Sequence, residues 1–88
     1  MADYTLTFAR SARKELEIIP ASFSERILDR IESLQTNPRP GGVVKLHGGK
    51  NLWRIRVGDY RVVYSINDAD KIVDISIVRH RRDVYRDL

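Results

Sequence analysis

The chain has 88 residues, no cysteine, 42% hydrophobic and 32% charged side chains, and a formal net charge of +4, which predicts one small domain, 1–88, held together by packing alone. Disulfide scaffolds and thiolate metal sites are excluded, and the apolar content is too high for a disordered chain. No window approaches the roughly 18–20 apolar residues of a membrane span, and the opening MADYTLTFARSARKEL carries charge where a secretion signal needs an apolar stretch, so a cytoplasmic protein with no membrane role is expected.

The charge is unevenly placed. Residues 1–38 hold five cations and six anions, whereas residues 39–88 hold eleven cations and six anions. A second half at +5 points to a polyanion, most often nucleic acid, as its partner. A basic chain with no nucleic-acid role fits the total charge equally well.

In chain order, Tyr4-Thr5-Leu6-Thr7-Phe8 alternates with period two and is rich in β-formers, which predicts an opening strand. Ala9, Ala12, Leu16 and Ile19 then recur at helical spacing until Pro20 ends the run. A second helix follows, with Ser22 and Glu25 reading as a capping box and Phe23, Ile27, Ile31 and Leu34 as its apolar stripe. Pro38 and Pro40 close it. Both stripes are expected to be core, because so small a domain has little other apolar surface to bury.

Arg39 to Asn51 contains four glycines and reads as a loop with a short strand at Val43 to Leu46. It is not a phosphate-binding P-loop, since Val44 stands where the first glycine belongs and Asn51 where Ser or Thr is required. Residues 52–80 read as three antiparallel strands. Gly58-Asp59 is a two-residue hairpin signal of the type that takes glycine first, joining 52–57 to 60–67. That register sets Val57 opposite Tyr60, Ile55 opposite Val62 and Trp53 opposite Tyr64 on one face. On the other face Arg56 stands across from Arg61, with Arg54 opposite Val63. Asn67-Asp68-Ala69-Asp70 turns the chain again, with Asp68 and Asp70 as simple turn formers. Strict alternation in the last strand puts Val73, Ile75, Ile77 and Arg79 on one side and His80 on the other, the arginine face. The order strand, helix, helix, three strands gives an α+β fold with two N-terminal helices on one face of a four-stranded, mainly antiparallel sheet.

Two cations opposite each other on neighbouring strands repel, at a cost of a few tenths to roughly 1 kcal/mol. A sheet shaped only by stability avoids this, so Arg54, Arg56 and Arg61 read as an anion clamp with guanidinium forks suited to phosphate oxygens; stems splayed into water are the plain alternative. The HRRDVY tail at 80–85 adds a titratable imidazole, two guanidinium groups and a phenol. Here His80 is the candidate proton carrier, Arg81 or Arg82 can neutralise charge, and Tyr85 can stack on a base or supply a hydroxyl. Lys45, Lys50 and Arg82 are further candidates for RNA contact. A metal site is not expected, since Asp59, Asp68, Asp70 and Asp74 show no ligand spacing, and no cofactor is expected.

These residues carry a resemblance. WRIRVGDYRVVY at 53–64 and the HRRDVY tail, supported by ARSARKEL and NPRP, are similar to the RelE-type toxins of the RelE/ParE toxin–antitoxin superfamily, and the likeness runs nearly end to end. The resemblance implies the toxin of a type II toxin–antitoxin system, a metal-independent mRNA endonuclease that cuts in the ribosomal A site and so inhibits translation. Its implied partners are the ribosome with its message and a cognate RelB-like antitoxin, through which the complex binds operator DNA. Arg54 and Arg56 stand where the best-known members have lysine, which removes any general-base role for them because arginine keeps its proton near neutral pH. Arg61 falls on the family's arginine at the start of the VVY stretch, His80 or Arg81 on its C-terminal basic position and Tyr85 on its C-terminal tyrosine. Two other functions remain open: the ParE branch, which acts on DNA gyrase, and a non-catalytic RNA-binding module.

Overall fold

A computed structural model describes residues 3–47 and 51–83. Its elements are β1 (Thr5–Phe8), α1 (Arg10–Ile18), α2 (Ala21–Ser33), β2 (Val44–Lys45), β3 (Leu52–Val57), β4 (Tyr60–Asn67) and β5 (Ile72–His80). The sheet has five strands in the order β1-β5-β4-β3-β2, one more than the sequence predicts. The fifth is the two-residue β2, which pairs Val44 with Arg54 and Lys45 with Trp53. β1 runs parallel to β5 and the remaining pairs are antiparallel, so the sheet is mixed.

Pro20 separates the helices by a local steric rule. The residue before a proline is pushed out of the helical region, and Ile19 is extended at φ −74°, ψ 136°. Pro20 itself caps α2 without a side-chain hydrogen bond, so Ser22 lies inside the first turn and the expected capping box does not form. Ala12 and Ile19 from the first helical segment, and Ile27, Ile31 and Leu34 from the second, pack with Ile55, Val57, Val62, Tyr64, Ile66, Val73, Ile75 and Val78. Both helices therefore cover the same face of the sheet. Burying each large aliphatic side chain contributes about 1.5–3 kcal/mol, which is what holds the two layers together. Phe23, read as part of the stripe, is instead 46% exposed and its ring lies 5.8 Å from that of Tyr60. No helix among the described residues is long and apolar enough to cross a membrane.

The β3–β4 hairpin turns at Gly58 and Asp59 with φ +60° at the glycine, as a two-residue turn with glycine first requires. Its register is the one read from the sequence: Val57 with Tyr60, Arg56 with Arg61, Ile55 with Val62, Arg54 with Val63 and Trp53 with Tyr64.

The β4–β5 ladder departs from strict alternation. Val63 pairs with Ile77 and Tyr64 with Ile75, so Ser76 is an extra residue bulged out of the ladder. One inserted residue exchanges the faces of everything after it. Val78 is fully buried among the core residues, while Ile77 joins Val63 on the far side.

Tyr64 is the largest fully buried side chain, and its hydroxyl donates a 2.7 Å hydrogen bond to the Pro38 carbonyl. Burial raises the phenol to about 12, so it stays a donor at any ordinary pH. The bond ties the segment after α2 to the sheet. Tyr64→Phe should leave the Pro38 carbonyl buried without its donor, at about 1 kcal/mol or more, seen as a thermal midpoint lower by about 4–8 °C; an unchanged midpoint would remove this anchor from the fold.

Candidate nucleic-acid interface

Cross-strand partners share a face of the sheet. Arg56 faces Arg61 on β4, and Arg61 in turn faces Arg79 on β5. Three guanidinium side chains from three adjacent strands thus form a row on the face away from the helices. Arg54 lies two residues along β3 from Arg56, on the same face, opposite Val63. Val63 is fully buried although it belongs to this outer face; it is flanked by Arg54 on one side and Ile77 on the other, and a long arginine stem covers apolar surface while its head stays wet. Arg61 is held by its own turn, Nη1 donating to the Gly58 carbonyl at 3.0 Å and to the Tyr60 carbonyl at 2.9 Å. Arg79 Nη1 donates to the Asp83 carbonyl at 3.4 Å. Arg56 is exposed.

Arg79 was not among the residues picked from the sequence, and His80 was; the Ser76 bulge exchanges them. His80 is paired with Tyr60 rather than with an arginine, and the two rings meet edge to face at 5.7 Å. Its imidazole therefore lies on the helix side, in a cleft of about 460 Å³ shared with Glu15 and Ile18 of α1. The backbone N–H of Arg82 points at His80 Nδ1 at 3.3 Å. The expectation that His80 shares the arginine face is corrected on this ground. The signal available in the sequence was the doublet Ile77-Val78, two adjacent apolar residues that one alternating strand cannot bury on the same side.

The remaining candidates are dispersed. Arg81 is tied to the hairpin turn, its backbone N–H donating to the Asp59 carbonyl at 2.7 Å and its Nε lying 3.8 Å from Asp59 Oδ1. Arg82 is exposed. Lys45 is paired with Trp53 and so shares the core side of β3, not the arginine face; its ammonium lies 5.6 Å from the Trp53 ring centre. Lys50 and Tyr85 lie outside the described residues. Among the described residues no three His, Asp or Glu side chains are grouped as a metal site would need.

Trp53 also receives the Arg39 guanidinium, at 5.1 Å from its centre. Arg39 in turn forms a forked pair with Asp68, Nη2 to Oδ2 at 2.9 Å and Nη1 to Oδ1 at 3.3 Å, and the Tyr4 hydroxyl donates to the same carboxylate at 2.7 Å. Asp68 is therefore more than a turn former: it staples β1, the NPRP segment and the β4–β5 turn together. Asp70 keeps the simpler role, with its backbone N–H donating to Asn67 Oδ1 at 2.9 Å.

The fold and the cation row describe a class: a small α+β protein with a mixed sheet whose open face carries a row of arginines. A family model described as the ParE toxin of the type II toxin–antitoxin system parDE matches residues 6–85. Toxin RelE3 of Methanocaldococcus jannaschii is 34% identical over 82 residues, covering 89% of this chain and 91% of that protein. Toxin RelG of Mycobacterium tuberculosis is 30% identical over 84 residues, 94% of this chain and 97% of that one. Among solved structures, the archaeal RelE–RelB complex from Pyrococcus horikoshii OT3 contains a chain that superposes with a TM-score of 0.79 at 33% identity, covering 90% of this chain and 96% of that one. The chain belongs to the ParE toxin family of type II toxin–antitoxin systems, and its curated relatives are RelE toxins.

The Arg39 and Tyr4 hydrogen bonds hold the Asp68 carboxyl at about 2, below its ordinary 3.8. A carboxyl depressed in the folded state contributes stability above its unfolded value and loses it as pH falls through the folded one. Asp68→Asn should therefore be less stable than the parent at pH 5, with the gap closing between pH 4 and 2 in acid unfolding followed by circular dichroism. A gap that stays constant over that window would remove the staple from the acid response.

Proposed function

We propose that the chain is a ribosome-dependent, metal-independent mRNA endonuclease that cuts in the ribosomal A site and arrests translation. The observation that carries this reading is the row Arg56–Arg61–Arg79, in register across three strands on the face the helices leave uncovered. Like charges in that arrangement oppose folding, and an anion between them reverses the sign of the interaction.

In the proposed reaction the ribose 2′-oxygen bonds to the adjacent phosphorus as the bond to the 5′-oxygen of the next nucleotide breaks. The products are a 2′,3′-cyclic phosphate and a 5′-hydroxyl. The 2′-OH releases its proton to solvent and the leaving oxygen takes one up. No guanidinium gives up a proton near neutral pH, so the row works by charge: Arg56, Arg61 and Arg79 stabilise the negative charge gathering on the phosphoryl oxygens, and Arg54 holds the adjacent backbone. Arg61 is the most preorganised of them, because its turn carbonyls already fix it. Arg81, Arg82, Lys45, Lys50 and Tyr85 are left as contacts along the strand or with the ribosome. The proposed protein partner is a RelB-like antitoxin, supported by the RelE–RelB complex with which the chain superposes; operator DNA would be reached through that antitoxin.

A second reading has its own support, since the matching family model is described as ParE, and that branch of the superfamily acts on DNA gyrase. The chain is to be assayed with translating ribosomes and, separately, with gyrase and supercoiled plasmid. Cleaved message with untouched plasmid is the expected result; linearised plasmid with intact message reverses the assignment. Arg61→Ala should lower the cleavage rate by about 10²–10³, and undiminished cutting would dismiss the row as the catalytic element. His80→Gln should leave the pH dependence of cleavage as it is, because the ring lies on the helix side; a displaced profile would bring the imidazole back into the reaction.

A further inference from the structure

β2 covers only Trp53 and Arg54 of β3. Beyond its end at Val44, the outer edge of β3 borders a cleft of about 400 Å³ lined by Arg30, Arg54 and Arg56, by Gly41 and Gly42, and by the aliphatic Val44 and Ile55. Among the described residues, three guanidinium side chains line this cleft and no carboxylate does. Among the described residues, neither Arg30 nor Arg56 has a carboxylate at ion-pair distance. Arg30 comes from the last turn of α2, on the helix side of the sheet, whereas Arg54 and Arg56 belong to the outer face. The cleft therefore wraps the sheet edge and joins the two sides. Gly41 and Gly42 are part of its lining, and a Cβ placed on either would meet nothing within 4 Å, so the space beside them is open.

We infer that this edge cleft is a second phosphate subsite, in which Arg30 receives the backbone phosphate of a single RNA strand that continues from the cation row over Arg56 and Arg54. The inference rests on the RNA reading above and extends it to a residue outside the cation row. Arg56 belongs to both the row and the cleft, so a strand held at one is led to the other. Arg54 and Arg56, two residues apart on a strand, are separated by about 7 Å, a span comparable with that between successive phosphates of an extended strand. The two glycines leave that part of the lining without side chains, and forked guanidinium donors suit phosphate oxygens better than the single oxygen of a hydroxyl or amide.

The test uses the full chain and a fluorescent 2′-O-methyl oligonucleotide, which the proposed chemistry cannot cut, with affinity read by anisotropy from 50 to 200 mM salt. Arg30→Gln should weaken binding about five-fold and flatten the plot of log affinity against log salt by about 0.7, the loss of one contact to a single strand. Gly41→Glu, which places a carboxylate in open space, should weaken binding as well. Arg13→Gln, an equal charge loss at an exposed position of α1, which packs on β5 and does not line the cleft, should leave affinity and slope as they are. An unchanged slope in Arg30→Gln, an equal loss in Arg13→Gln, or no binding by the parent chain overturns the subsite. So does a result in which Arg30→Gln loses only its affinity for a co-purified antitoxin, which would assign the cleft to the protein partner. Because the probe is uncleavable, failure to cut a translated message counts against the nuclease reading alone.

Discussion

The Ser76 bulge is the constraint on which the rest of the architecture depends. Side chains alternate across a strand, so a single unpaired residue in β5 decides which of its later side chains meet the helices and which face outward. With the bulge, Val78 completes the core beneath the helices and Arg79 completes a row with Arg61 and Arg56. Without it, Ile77 and Arg79 would point under the helices. A guanidinium buried there without a partner costs several kcal/mol. The core and the cationic face are thus two consequences of one local geometry.

The row is a local liability carried by a cooperative core. Cross-strand repulsion between guanidinium groups amounts to at most about 1 kcal/mol per pair, while a single buried Ile or Val on the opposite face offsets more than that. Ile55, Val62, Ile75 and Val78 are all buried on that face. The sheet can therefore present like charges to solvent on one side because its other side is dry. Hydrogen bonds from Arg61 to the turn carbonyls hold the central guanidinium in place.

Two polar anchors position the segment that borders the open edge. Tyr64 reaches from the centre of β4 to the Pro38 carbonyl, and Arg39 is clamped between Asp68 and the Trp53 ring. Together they fix Pro38 and Arg39, inside the NPRP segment, before the chain passes Gly41 and Gly42 into β2. The edge cleft owes its shape to this tethering, since nothing in a two-residue strand would hold the loop by itself. Arg30, Arg54 and Arg56 line the space that the same tethering borders.

Much of this was legible in the sequence. Period-two and helical spacing located β1, both helices and the three long strands, and Gly58-Asp59 set the hairpin register that opposes Arg56 and Arg61, because these are local signals of backbone geometry and of side-chain alternation. The short strand read at Val43 to Leu46 is present as the two-residue β2, but so short a segment carries no periodicity that would assign it to the sheet, and the sequence therefore predicts a four-stranded one. Phe23 lies on the helical stripe yet is half exposed, because an amphipathic pattern names a face but not how far the partner layer extends. The exchange of His80 for Arg79 was decided by pairing with β4, and the roles of Asp68, Arg39 and Arg30 by contacts across long stretches of chain. The sequence by itself determined the family, the α+β class and the existence of an arginine face; only the tertiary structure decided which side chains converge there, because a bulge and a sheet edge arise from pairing between distant segments rather than from the order of residues within one.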